Sequence, residues 1–180
     1  WQLVWEDDFS DPESGFYEGE SEDRAFWYED GQYLIEGRQA NWLTWMYLGY
    51  SLTDLQLGID TYIERGTGAT AYGALCRYQE EGDFYGFEFS EDGYYTIWLR
   101  YQDEYTTLVS WTYDSRLIGA EWRRMTIECV GDQLSLKLND ELLVQVQDAT
   151  LTYGGAGLLV ESNEVGGSLV KFDNFPLYEK

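Results

Sequence analysis

No histidine occurs among the 180 residues. That excludes Ser-His and Cys-His nucleophile systems and histidine-ligated zinc together. Any acid–base chemistry must rest on carboxylates, tyrosine or lysine. Cysteine is nearly as scarce: Cys76 and Cys129 are the only two, too few to form a zinc site by themselves. Two prolines and 19 glycines set the chain apart from disordered or collagen-like sequences. No run approaches 18 consecutive apolar residues, so no segment reads as a membrane-spanning helix. No Asn-x-Ser/Thr acceptor is present. Positive charge is sparse as well: 11 Lys and Arg stand against 34 Asp and Glu, a formal charge of −23. Such a surface repels phosphate backbones and anionic membranes, so neither nucleic acid nor membrane insertion is expected. Neutral sugars, cations and basic partners stay compatible, and the simplest meaning of the charge is solubility.

What the chain does have is rings. There are 8 Trp, 16 Tyr and 8 Phe, so aromatics build the core and many also reach the surface. With 44% hydrophobic residues the length suits one domain over 1–180 with a full core. Aromatic and β-branched residues punctuated by Gly-Asp pairs favour strands over helices. The clearest stretch is Ala69 to Tyr101, which reads as three antiparallel strands separated by QEEGD and SEDG turns. Ala25 to Gly37 reads as a hairpin turning at Asp30-Gly31, the strongest short hairpin signal. Gln39 to Tyr50 reads as an irregular loop or bent strand. Thr53 to Glu64 alternates Leu55, Leu57 and Ile59 against Gln56, Gly58 and Asp60, as a half-buried strand does. Tyr105 to Tyr113 is a further strand, and Asp114 to Ala120 a loop with a helical turn. Trp122 to Val130, Gln133 to Leu138 and Leu142 to Gln147 form a meander turning at Gly131-Asp132 and Asn139-Asp140. Gly157 to Glu161 and Leu169 to Leu177 complete the set. About a dozen short strands at regular spacing predict an all-β fold, a two-sheet antiparallel β-sandwich.

Alternation puts Cys76 on a core face with Tyr72 and Ala74, and Cys129 on another with Met125 and Ile127. This leaves open a disulfide between packed strands or two buried thiols acting as small hydrophobes. The chain begins at Trp1 rather than Met, and the expectation is a mature fragment or a domain of a longer chain, with other domains as neighbours.

EDDFSDPESGF at the start resembles the first strand of concanavalin A-like jelly rolls, where an FxDDFSDPxSGW-type opening is common in secreted bacterial proteins. YEDGQYLIEG, YGALCRYQEEGDFYGFEFSEDGYYTIW, IECVGDQLSLKLNDELL and the closing VKFDNFPLY recur there in the same order. The chain is most similar to laminin-G-like and 3-keto-disaccharide-hydrolase-like domains of that superfamily. The resemblance covers nearly the whole chain and implies two curved sheets, first and last strands as neighbours, a Cys76–Cys129 disulfide and an extracellular or cell-surface location. It implies little about activity, because this fold hosts lectins, glucanases, hydrolases and adhesion modules.

The superfamily usually binds sugar on the concave sheet, and alternation nominates residues for that face. Phe84, Gly86 and Glu88 face out if Tyr85, Phe87 and Phe89 face in. Tyr94, Thr96, Trp98 and Arg100 likewise share an outer face, as do Gly73, Leu75 and Arg77. The expected patch centres on Arg77, Glu88, Trp98 and Arg100, with Phe84 beside it and Trp42 and Trp45 as a rim. A ring stacks on the C–H face of a pyranose, while Arg and Glu hydrogen-bond hydroxyl pairs. The plainer reading of Arg77 and Glu88 is a cross-strand ion pair.

A laminarinase-type glucanase needs a Glu-x-Asp-x-(x)-Glu strand to flank the scissile bond. The nearest segments, GIDTYIE and EFSED, do not match it. Calcium is the metal to consider, because hard oxygen ligands abound. The resemblance places it where the first and last strands meet, with Asp7, Asp8 and Asp173 as ligands. Glu18, Glu20, Glu22 and Asp23 read as a solvated acidic loop. The expected function is a non-catalytic carbohydrate-binding module whose partner is a glycan. The alternatives are a carboxylate-dependent glycoside hydrolase and a structural protein-contact domain.

Overall fold

A computed structural model describes every residue except residue 120, the last of the loop expected over 114–120. Among the described residues there are sixteen strands and one short 3₁₀ turn, and they form two antiparallel sheets.

The larger sheet takes β1 (Gln2–Asp7), β2 (Gly19–Glu20), β3 (Arg24–Glu29), β4 (Gln32–Gly37), β6 (Leu55–Arg65), β11 (Arg123–Val130), β12 (Gln133–Leu138), β13 (Glu141–Gln147), β15 (Ser168–Asp173) and β16 (Phe175–Glu179). Its main path is β13-β12-β11-β6-β15-β4-β3-β2. β15 and β16 follow each other along β6, broken at Asn174, and β1 pairs with β16, so first and last strands are neighbours. The second sheet is β10-β9-β8-β7-β14-β5. It comprises β5 (Trp42–Leu52), β7 (Ala71–Tyr78), β8 (Phe84–Ser90), β9 (Tyr94–Tyr101), β10 (Glu104–Tyr113) and β14 (Gly154–Ser162). The helical turn expected after β10 is the 3₁₀ segment Ser115–Leu117, capped by the Asp114 side chain.

Period-two alternation builds the core. Leu55, Leu57 and Ile59 of β6, Met125 and Ile127 of β11, and Leu134 and Leu136 of β12 meet Tyr72, Ala74, Tyr85, Phe87, Phe89, Ile97 and Leu158 of the second sheet, all in one buried cluster. Cys76 on β7 and Cys129 on β11 are bonded to each other, so the disulfide joins one sheet to the other near the C-terminal ends of both strands. Asp30-Gly31 makes the hairpin turn with positive φ at both positions (53° and 72°), a conformation that Asp-Gly supplies at low cost.

Of the two readings of Gln39 to Tyr50, loop or bent strand, the structure shows the strand: most of the segment is β5, an 11-residue edge strand paired with β14 with one register shift. Thr44, Met46 and Leu48 are buried and alternate with the more open Leu43, Trp45 and Tyr47. One feature departs from the sequence expectation, Arg77. Its φ is +54°, and the β14–β7 register slips there, with Cys76 opposite Ala156 and Tyr78 opposite Gly155. Arg77 is therefore the extra residue of a β-bulge. Beyond it the alternation is shifted by one, so Tyr78 takes the outward position that Arg77 would hold in a regular strand.

Candidate functional site

The outer face of the six-stranded sheet carries a groove of about 580 Å³. Its floor comes from Glu161 on β14, Glu88 on β8, and Thr96, Trp98 and Arg100 on β9. The two edge strands supply the walls: Trp42, Leu43 and Trp45 from β5, and Tyr105, Thr107 and Trp111 from β10. The trough thus runs along the strands, and from Thr96 to Arg100 of β9 it spans about 13 Å at the usual strand rise.

Under one end of the groove lies a second apolar cluster, separate from the main core. Leu75, Phe84, Trp98 and Leu159 are its buried members, with Leu43, Trp45 and Tyr78 packed around them. The rings form a continuous series: Tyr47 stacks on Tyr78 at 3.7 Å, Tyr78 on Phe84 at 5.7 Å, Phe84 meets Trp98 at 5.4 Å, and Trp98 meets Tyr105 at 5.5 Å between centroids. The Trp98 indole lies directly over Gly86, where a Cβ would fall on its six-membered ring. Only glycine permits that position. The Arg100 guanidinium stands 5.7 Å from the Trp45 ring and 5.9 Å from the Tyr105 ring, within cation–π range of both. It is anchored by hydrogen bonds to Gly82 O and Asp103 Oδ1.

Beside the indole sits an acid pair. Glu88 is only 1% exposed, and its Oε2 accepts a 2.6 Å hydrogen bond from Trp98 Nε1–H. Its Oε1 is buried without an N–H or O–H partner. Glu161, diagonal to it across β7, is within hydrogen-bonding reach of that carboxyl. The strand between them offers only Ala71 and Gly73 at this level. Burial, and then the neighbouring Glu161 charge, push the Glu88 carboxyl well above the ordinary range. Burial raises Glu161 too, opposed by its hydrogen bond with Glu88. A proton held by Glu88 and donated to Glu161 satisfies the otherwise orphaned Oε1, which is how two buried carboxyls share a site.

The structure brings together Glu88, Trp98, Arg100, Trp42 and Trp45, as the sequence reading expected. Trp98, however, is a floor residue with 8% exposure rather than an open platform. Phe84 does not line the groove: it is fully buried beneath Trp45, Tyr78 and Trp98. Arg77 lies elsewhere altogether. The bulge turns its side chain, 0% exposed, to one end of the sandwich. There it donates to the carbonyls of Leu151 (2.7 Å), Gly131 (2.8 Å) and Thr53 (3.1 Å), with Asp54 Oδ1 3.9 Å away. The ion pair with Glu88 does not form.

Glu161, Tyr105 and Trp111 were not singled out by sequence. The two rings sit on β10, the register neighbour of β9, and with Trp42 they are the open aromatic surfaces of the groove, at 58%, 46% and 40% exposure. Their signal was present in the strand reading of Tyr105 to Tyr113. Glu161 became visible only once β14 was seen to pair with β7.

The candidate calcium ligands are occupied with local work. Asp7 accepts from Phe9 N and the Ser14 hydroxyl, Asp8 from Ser10 N and Oγ, and Asp173 from Asn174 N. Asp7 and Asp8 border a second groove of about 610 Å³ that Arg124 also lines, and Arg124 pairs with Asp60, the register partner of Asp173. Among the described residues no group of three carboxylates or thiols comes together as a metal site. Among the described residues no helix is long and apolar enough to cross a membrane.

No protein-family model matches the sequence, and no curated protein does. Solved structures match it in fold. A protein of unknown function with a galectin-like fold from Bacillus subtilis superposes with a TM-score of 0.70 at 10% identity, over 99% of this chain and 96% of that one. The carbohydrate-binding module CBM66 from Bacillus subtilis does so with a TM-score of 0.66 at 17% identity, over 78% and 84%. A GlcNAcα1-4Gal-releasing endo-β-galactosidase from Clostridium perfringens matches with a TM-score of 0.66 at 12% identity, over 98% of this chain and 62% of that one. The chain shares with these neighbours an all-β fold, a sandwich of two antiparallel sheets.

Proposed function

We propose that the chain is a glycan-binding module that holds an oligosaccharide along the groove of the six-stranded sheet. The observation that carries this reading is the aromatic lining of one trough. Trp42, Tyr105 and Trp111 stand open on its two walls, and Trp45 and Trp98 line it between them. Exposed rings of this size mark contact sites, and facing rings across a groove stack on successive sugar faces. Arg100, pre-positioned by Asp103 and Gly82, and the Glu161 carboxylate supply directed hydrogen bonds beside them.

Binding is favoured over hydrolysis by the geometry of the acids. A glycosidase needs its carboxyls about 5–9.5 Å apart, with the scissile bond between them. Glu88 and Glu161 instead lie as diagonal neighbours across the single strand β7, within hydrogen-bonding reach of each other, closer than that separation. The disulfide supports an oxidising, extracellular compartment.

A glycan-array screen of the wild type, Trp42→Ala and Trp111→Ala tests the proposal. The expected result is a defined set of bound glycans, with affinity lowered about tenfold by either substitution. An array blank for the wild type, or binding indifferent to both substitutions, refutes it. Release of shorter sugars from a bound oligosaccharide, lost in Glu161→Gln, would establish the hydrolase instead.

A further inference from the structure

The two carboxyls on the groove floor, Glu88 and Glu161, have no cationic partner among the described residues. Arg100, the one base lining the groove among the described residues, is bonded to Asp103 and the Gly82 carbonyl. Glu88 is buried, and no N–H or hydroxyl group among the described residues reaches its Oε1, so only Glu161 faces that oxygen; the open rings around the pair present faces that attract cations. The whole chain, at −23, draws positive charge toward itself.

We propose that the groove selects glycans bearing a free amino group, whose ammonium seats on the Glu88–Glu161 pair in place of the proton those two carboxyls share. This rests on the glycan-binding reading of the groove. In the free protein, Glu88 holds the proton and donates it to Glu161. As the ammonium enters, its N–H groups take over that bridge, the Glu88 proton passes to solvent, and both carboxylates face one cation. An N-acetylated sugar offers a single neutral N–H, which leaves two ionised, largely buried carboxyls uncompensated. It therefore binds only over the protonated pair, without the charge-assisted contact. Among the described residues no further titratable side chain competes at this point. β7 contributes Ala71 and Gly73, β5 contributes Leu43 opposite Glu161, and β9 contributes Thr96 and Trp98. Arg100 and Tyr105 face each other further along the strands.

The test is isothermal titration calorimetry at pH 7 with matched free-amine and N-acetylated glucosamine and galactosamine oligosaccharides. Two buffers of different ionisation enthalpy count the protons exchanged. The expected result is at least tenfold tighter binding of the amine form, with up to one proton released per site. Glu161→Gln should abolish both the proton release and the preference, so that the variant binds the amine and N-acetylated forms with equal affinity. Glu88→Gln, nearly isosteric and still able to bridge to Glu161, is the second variant and should behave alike. A preference that survives both substitutions is attraction to the overall negative charge, and overturns the inference. N-acetylated or other neutral glycans bound as tightly as amine forms also overturn it, and leave the glycan-binding groove standing. Binding of no glycan of either kind overturns both.

Discussion

Replacing Arg77 should damage stability and leave the groove intact, because its guanidinium works as a staple rather than a ligand contact. One planar fork ties the turn before β6 through Thr53 O, the β11–β12 turn through Gly131 O, and the segment before β14 through Leu151 O. Hydrogen bonds to a charged donor contribute about 1.5–3 kcal/mol each. The Leu151 bond is buried and the other two partly so. Water recovers some of what the latter two lose, which puts the cost of Arg77→Met at about 3–5 kcal/mol. That is a large share of the ~5–15 kcal/mol by which domains of this size are stable. Arg77→Lys keeps the charge but not the fork and reaches one or two of the carbonyls, so about half the loss should remain. Urea denaturation followed by tryptophan fluorescence measures both, and glycan affinity of the folded variants is measured alongside. A loss below 1 kcal/mol for Arg77→Met refutes the reasoning. So does a stable Arg77→Met that no longer binds glycan, which would return Arg77 to the binding site.

Gly86→Ala should displace the Trp98 indole, since its Cβ falls on that ring; the expected outcome by calorimetry is at least a tenfold loss of glycan affinity, with about 1–3 kcal/mol of stability lost to overpacking. The paired Cys76→Ser and Cys129→Ser variant opens a loop with a sequence separation of 53 and should cost about 4 kcal/mol, read from urea midpoints. The Glu88–Glu161 pair gives stability a pH dependence of defined sign. Because both carboxyls are raised in the folded protein, the folded state binds more protons than the unfolded one above pH 4.5, and stability falls as pH rises through the folded values. Glu88→Gln should flatten that decline and make the variant the more stable form at pH 8, as measured by melting temperature from pH 5 to 9; an unchanged slope contradicts the shared proton. Calcium added to chelator-treated protein should leave the melting temperature within about 1 °C, because no described group of carboxylates forms a site; a saturable rise would point to an ion bound largely by backbone oxygens.

Much of this architecture can be read from the chain, because alternation and turn chemistry are local. Leu55, Leu57 and Ile59 announce β6, and Asp30-Gly31 announces the β3–β4 hairpin. The disulfide is less legible. Alternation puts both cysteines in the core, but their pairing depends on which strands face each other across the sheets. The Arg77 reading failed because a one-residue bulge inverts every inference beyond it. Nothing in GALCRYQ marks a bulge except the outcome, a tyrosine where a regular strand would place an outward arginine. Phe84 failed for another reason: outward from the main core is not the same as exposed, and here the outer face carries an apolar cluster of its own. Glu161 and Glu88 are 73 positions apart in the sequence, so only the non-sequential β14–β7 pairing reveals the acid pair. Strand order is a long-range property, and local patterning does not encode it.

The most direct test of the glycan-binding groove uses the indole N–H signals of the eight tryptophans in a nitrogen-15 correlation spectrum, titrated with a glycan found on the array. The groove account predicts that the signals of Trp42, Trp45, Trp98 and Trp111 move on binding, with Trp98 reporting through its hydrogen bond to Glu88. Those of Trp1, Trp5, Trp27 and Trp122, which lie outside the groove, should hold still. Shifts confined to the second set, or none at a saturating concentration of a bound glycan, would place the binding surface elsewhere and contradict it.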